Sequence, residues 1–172
     1  NKVFLAHVTE DCNCIQTIKE HLIGTAQLSA EFAKTFGCEE WGYCCGMLHD
    51  IGKYSEAFQK HIRGTEGIVD HATAGAQLCR DLKGFYVLLA YCIAGHHAGL
   101  PDTGAKSDDG RCKSMMGRLK KKIEPYDRFK SEIEIPSLRT LPFTSEYRGG
   151  EKDSAFVFSM LIRMLFSSLV DA

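Results

Sequence analysis

His49 and Asp50 stand side by side in Gly46-Met47-Leu48-His49-Asp50-Ile51-Gly52-Lys53, an imidazole next to a carboxylate after an apolar run. His21, His71, the doublet His96-His97 and Asp171 carry the same two kinds of group elsewhere in the chain. Together these five imidazoles and two carboxylates offer enough donors for two metal ions. Imidazole with carboxylate suits iron, manganese, nickel, cobalt or zinc, whereas magnesium and calcium prefer oxygen alone. A carboxylate can bridge two ions through its two oxygens, and Asp50 is the natural bridge because His49 beside it can complete one coordination sphere. Two ions about 3.5–4 Å apart clamp the attacking and leaving oxygens of an in-line displacement at phosphorus and lower the pKa of a shared water. The ammonium of Lys53 would then stabilise charge building on the non-bridging phosphate oxygens. Hydrolysis of a phosphodiester is the chemistry such a set could perform, with Asp50 and Lys53 as its catalytic groups.

Taken singly, most of these residues have a plainer reading. His21 reads as a satisfied core histidine, His71 as a surface residue at a helix start, Lys53 as a surface lysine after a turn and Asp171 as a solvated acid. His96-His97 differs, because two imidazoles at the end of a buried helix both need partners for their ring nitrogens.

The elements that must position these groups are helical. Residues 1–14 read as an extended arm and loop. From Ile15, apolar positions Ile18, Leu22, Phe32 and Phe36 recur at helical steps until Gly37 stops the helix, with His21 at the edge of its apolar face. A second helix is expected over residues 39–51, ending on His49 and Asp50, after which Gly52 lets the chain leave in a conformation other residues resist. Short and medium helices follow over residues 55–62, with Phe58 as anchor, and 71–82, capped by Asp70. The run Phe85 to Ala94 is apolar nearly all round and reads as a central buried helix ending at the His doublet. Residues 102–112 read as a mobile loop, 113–123 as a basic helix, and 125–150 as an irregular stretch with at most one short helix. In the last helix, from about Glu151, Phe156, Met160, Arg163, Met164, Ser167 and Asp171 share one line that is expected to face inward.

With 44% hydrophobic and 25% charged residues, 172 residues suit one globular domain with its own core, whole or excised from a larger chain. No uninterrupted apolar run reaches the roughly 20 residues of a bilayer span, and no secretory signal is visible, so a cytoplasmic protein is expected. The eight cysteines form no C-x-x-C pair; Cys44, Cys45, Cys79 and Cys92 read as reduced core residues. A net charge of -1 excludes whole-molecule attraction to nucleic acid. A local nucleic-acid contact would fall on Arg111, Lys113, Arg118, Lys120, Lys121 and Lys122, although such a lysine run more often reads as a solvated helix face.

The order His21, His49-Asp50, Lys53, His71, His96-His97, Asp171 resembles the HD phosphohydrolase superfamily. More specifically, Leu48-His49-Asp50-Ile51-Gly52-Lys53-Tyr54-Ser55, Asp70-His71-Ala72-Thr73-Ala74-Gly75-Ala76 and His96-His97-Ala98-Gly99-Leu100-Pro101-Asp102 are similar to the HD nuclease domain of the type I CRISPR-associated helicase-nuclease. The resemblance implies an all-α HD-domain helical bundle with a long irregular insertion before the last helix. It implies a two-metal nuclease for single-stranded DNA, one ion held by His21, His49, Asp50 and Asp171 and the other by Asp50, His71, His96 and His97. Iron, manganese, nickel or cobalt would be the ions, with zinc or magnesium as further occupants. A superfamily 2 helicase, in cis or in trans, and an RNA-guided surveillance complex are the implied partners. Two other expectations stand beside this one: an HD phosphohydrolase acting on nucleotides or cyclic nucleotides, and a non-catalytic HD module that binds nucleic acid.

Overall fold

Thr17 and Glu20 decide where the first long helix begins. The Thr17 hydroxyl accepts from the Glu20 amide at 3.2 Å while the Glu20 carboxylate accepts from the Thr17 amide at 2.9 Å, a reciprocal cap that satisfies two helix-end donors. Helix α1 therefore runs Ile18–Lys34 rather than from Ile15. The residues before it, β2 (Ile15–Thr17), pair antiparallel with β1 (Leu5–Val8), with His7 opposite Gln16. The computed structural model describes residues 3–8, 15–64, 67–142 and 151–172.

Helix α2 (Glu39–Leu48) lies against α1 at very close range. A side chain at Gly46 would run into the backbone of Ala26, and one at Gly42 into the carbonyl of Ser29. After Leu48 the chain tightens into a 3-10 turn over Ile51–Tyr54, so the helix expected to reach residue 51 ends earlier. Gly52 does not take a positive φ. It is glycine because a Cβ there would meet the His71 carbonyl oxygen, which brings the α4 start against this turn.

Ser55 caps α3 (Glu56–His61) by accepting from the Phe58 amide. Asp70 accepts from the amide and hydroxyl of Thr73 and so opens α4 (Ala72–Leu82), whose first flanking residue is His71. Helix α5 (Tyr86–Gly95) buries Leu89, Ala90, Cys92, Ile93 and Ala94, as its all-round apolarity predicts. These pack with Trp41, Leu48, Leu161 and Leu165 into one core, where each fully buried Leu or Ile contributes about 1.5–3 kcal/mol. Cys38, Cys44, Cys45, Cys79 and Cys92 are buried free thiols. Burial pushes Cys44 up to about 12 and Cys38 to about 11, so both stay protonated. Cys12 and Cys14 lie outside the described residues.

The segment expected to be a mobile loop is tied down: Met115 and Met116 donate to the carbonyls of Asp102 and Thr103, and Ser114 donates to Asp108 at 2.5 Å. The expected basic helix shortens to α6 (Met115–Lys120). From there to residue 142 the chain is irregular apart from a 3-10 turn at Asp127–Ser131, as expected; residues 143–150 of that stretch lie outside the described residues. It straps the bundle through Phe129, Ile133 and Leu138, all buried, and through the Trp41 indole donating to Thr140 and the Tyr86 hydroxyl to Pro136.

The last helix, α7 (Glu151–Val170), packs on α1, α5 and α2 through Leu161, Leu165, Ser168 and Leu169. The line Phe156, Met160, Met164 is its exposed side, so the expectation that this line faces inward is corrected. Over Asp153–Val170 its mean hydropathy of 1.5 makes it long and apolar enough, by length and composition, to cross a membrane. Here its buried stripe is part of the shared core. Among the described residues the molecule is an all-α bundle of seven helices with one two-stranded ribbon.

Candidate metal centre

Helix ends do most of the work of assembly. His49 and Asp50 sit just past the last turn of α2, His71 just before the first turn of α4, and His96 and His97 just past α5. His21 comes from the first half of α1, one residue from the buried Leu22. The five imidazoles converge on the Asp50 carboxylate. Asp50, 2% exposed, presents Oδ2 to His21 Nε2 at 2.9 Å, to His49 Nε2 at 3.2 Å and to Lys53 Nζ at 2.9 Å. Its other oxygen, Oδ1, faces His96 Nε2 at 3.2 Å and His71 Nε2 at 3.4 Å. His97 Nε2 lies 2.8 Å from His71 Nε2, and His49 Nε2 lies 3.1 Å from His21 Nε2.

The imidazoles are oriented from behind. Nδ1 of His49 is 2.7 Å from the Gly46 carbonyl, Nδ1 of His96 is 2.6 Å from that of Ile93, and Nδ1 of His71 is 3.2 Å from that of Val69. A carbonyl only accepts, so in each ring the proton sits on Nδ1. In the neutral ring Nε2 then carries a bare lone pair, as metal-ligating histidines require. The ring of Phe58 meets His71 edge-on and fixes it further. Lone pairs aimed at a carboxylate repel unless a cation lies between them. Asp50 Oδ1 and His96 Nε2 are both buried without a hydrogen-bond partner, orphans that cost about 1–3 kcal/mol each if left so. Two ligands bound at about 2.0–2.1 Å to one ion are themselves about 3 Å apart, which matches the separations here. The donor set therefore fits divalent transition ions. It falls into two groups that share Asp50, one with His21 and His49 and one with His71, His96 and His97.

The protonation states agree. Burial is the main cause that lowers His21, His71 and His97 below the ordinary imidazole value, His97 to about 4, with His96 the next cause there. Burial alone would raise the Asp50 carboxyl. Its imidazole partners, His49 first and then His21, outweigh that and hold it well below the usual range. Neutral imidazoles around an ionised carboxylate are the ligand forms.

Asp171 does not join either group. Its amide still donates helically to the Ser167 carbonyl, which continues the exposed line of α7 into the last residues. It lines a surface depression with Phe32, Thr35, Arg163, Met164 and Ser167, while Leu169, Val170 and Ala172 take the side facing the metal-ligand residues. Nor do the six cations form one helix face. Arg111 pairs with Asp109 and Lys121 with Asp70, both at 2.6 Å. Lys120 donates to the carbonyls of Lys106 and Asp108, and Arg118 to that of Lys113. Lys122 lies beyond α6, in a separate surface pocket with Lys121 and Asp70.

One residue that spacing could not find stands at the mouth. His7 lies in β1, with nothing in the sequence to connect it to the others. The strand pairing brings its Nε2 to 3.2 Å from Lys53 Nζ and its ring against His21. His7, Gln16, His21, His49, Asp50, Lys53, His96 and His97 line one cavity of about 410 Å³. No curated protein matches the chain. The family model for the HD domain matches residues 18–133, more than half of the chain, and His21, His49, Asp50, Lys53, His71, His96 and His97 all fall inside that match. With its paired His and Asp at the centre of a helical, metal-fitting site, the chain belongs to the HD domain family.

Proposed function

We propose that the chain is a metal-dependent phosphohydrolase that cleaves single-stranded DNA with two divalent ions sharing Asp50. The observation that carries this reading is the set of three imidazoles, His49, His71 and His96, each locked by a backbone carbonyl so that Nε2 faces the two oxygens of one buried carboxylate. His21 and His49 with Asp50 would hold one ion, and His71, His96 and His97 with Asp50 the other. When bound, such ions polarise the phosphoryl oxygens and acidify a water toward neutral pH. Asp50 fixes the spacing between the two positions. Lys53, buried and 2.9 Å from Asp50 Oδ2, orients that carboxylate and lends positive charge where the phosphate oxygens gather it. The described lining of the cavity holds no Phe, Tyr or Trp to stack a base, which favours a substrate gripped at its phosphate over a nucleotide gripped at its base. The resemblance of the His-Asp-Ile-Gly-Lys and His-His-Ala-Gly-Leu-Pro segments to the CRISPR-associated nuclease domain supports a role in defence against foreign DNA. In that role a superfamily 2 helicase feeds the strand and an RNA-guided surveillance complex opens the duplex, in the cytoplasm.

The test is reconstitution. Purified protein loaded separately with manganese, iron, cobalt and nickel is assayed for bound metal and for cleavage of a single-stranded oligonucleotide. Cleavage is expected with at least one ion, and Asp50→Ala is expected to abolish it while the circular dichroism of the helices stays. No cleavage with any of the four rejects the nuclease, and turnover of mononucleotides or cyclic nucleotides in its place would identify a small-molecule phosphohydrolase.

A further inference from the structure

We propose that the β1–β2 ribbon is the phosphate-gripping edge of this site, with His7 as the contact residue and Gln59 as its anchor; this deepens the phosphodiesterase reading and rests on it for the substrate class. His7 belongs to neither ligand group and lies outside the part of the chain that matches the family model. It nevertheless lines the same cavity as Asp50, Lys53 and His96. Its Nε2 is 3.2 Å from the Lys53 ammonium. An ammonium has donors and no acceptor, so His7 Nε2 accepts and the ring proton is on Nδ1. The remaining ring N–H, on Nδ1, is directed away from the ammonium and stays available as a donor, while the Lys53 ammonium, also 2.9 Å from Asp50 Oδ2, keeps a third N–H for a ligand. Gln16, directly across the ribbon from His7, adds a side-chain amide to the same cavity wall. Lys53, His7 and Gln16 all line this cavity, and their donors suit the non-bridging oxygens of a phosphodiester, which only accept.

One side chain ties the ribbon to the turn that carries Lys53. Gln59, 2% exposed, accepts from the Leu5 amide at 3.0 Å and donates to the Leu5 carbonyl at 2.9 Å. The same amide nitrogen donates to the Lys53 carbonyl at 3.0 Å. Gln59 thereby pairs with β1 as a neighbouring strand would, and ties it to the turn that carries Lys53. Position 7 and position 53 meet because of this clamp, which makes Gln59 a positioning residue.

The full chain tests this in two ways. In metal-free protein, long-range proton–nitrogen NMR of the imidazoles is expected to show His7 as the Nδ1–H form, changing on Lys53→Met; a His7 signal indifferent to Lys53→Met overturns the pairing. In manganese-loaded protein, His7→Ala is expected to keep its metal stoichiometry and to weaken binding of inorganic phosphate and of a short thymidine oligonucleotide by about tenfold, the scale of one lost hydrogen bond to a charged group. His7→Gln, which can accept and donate, is expected to recover most of that loss. Unchanged affinity for both probes in His7→Ala, or metal lost along with it, overturns the proposal. A weakening confined to the oligonucleotide assigns the edge to a diester backbone, and a weakening of both assigns it to any phosphate. Wild-type protein that binds phosphate through His7 yet cleaves no phosphodiester would reject the enzyme reading and leave the ribbon's role standing.

Discussion

Asp50 meets four imidazoles and one ammonium from five separate places in the chain, so errors in backbone placement of any one of them are felt at its oxygens. Gly52 is the most exposed to such an error, since a side chain there would push on the carbonyl of His71 itself. Gly52→Ala is expected to cost about 1–3 kcal/mol, as overpacking does, and to lower metal affinity at least tenfold, the usual scale for groups that support ligands. Urea unfolding and a metal titration measure the two effects separately. His49, Asp50, His96 and His97 could be read as site residues from their neighbours in sequence, because adjacent imidazoles and a His-Asp pair after apolar runs have few other uses. His7 could not, since its only link to the site is a strand pairing. The placement of Asp171 was not legible either, because a helical line does not reveal which side of a helix is buried; α7 buries Leu161, Leu165 and Leu169, and Asp171 follows the exposed line.

At the scale of elements, the site depends on how closely α1 approaches α2, because one carries His21 and the other delivers His49 and Asp50. Glycines set that distance. Gly46→Ala gains about 1 kcal/mol in helix propensity but drives a methyl into the Ala26 backbone, which cannot swing aside. The second effect wins, and net destabilisation of about 1–2 kcal/mol is expected. Gly24→Ala is the control: on α1 a Cβ there meets nothing, so thermal melting should show stabilisation of up to about 1 kcal/mol. The helices themselves were legible from their periodicity and stop signals. Their first residues were less so: the Thr17 and Glu20 cap moved the start of α1, and the chain leaves helix after Lys120 with Lys121 already extended, dissolving the expected basic face.

For the whole molecule, the crowded lone pairs at the centre make folding depend on pH and on metal. His21, His71 and His97 have folded-state values below the ordinary imidazole 6.5. The unfolded chain therefore binds more protons than the folded one once pH drops below about 6.5. Their contribution is fully present above that pH and is lost as pH falls toward their folded values, about 4 for His97. Urea midpoints of the metal-free protein should accordingly decline between pH 6.5 and 4. Manganese at a hundred times its dissociation constant should add about 2.7 kcal/mol, and a chelator should remove that gain; a melting temperature indifferent to every transition ion would speak against the centre.

The amino-acid sequence by itself determined the helical class, the buried α5 and the identity of most metal-fitting groups, because periodicity and residue chemistry are local properties written in the order of side chains. Tertiary structure alone decided which of those groups share an ion-sized space. It set Asp171 outside both ligand groups, brought His7 to the cavity wall, and turned Gly52 from a turn residue into a contact point. Those outcomes depend on which helix face is buried and how closely two backbones approach, quantities fixed only when the distant segments pack.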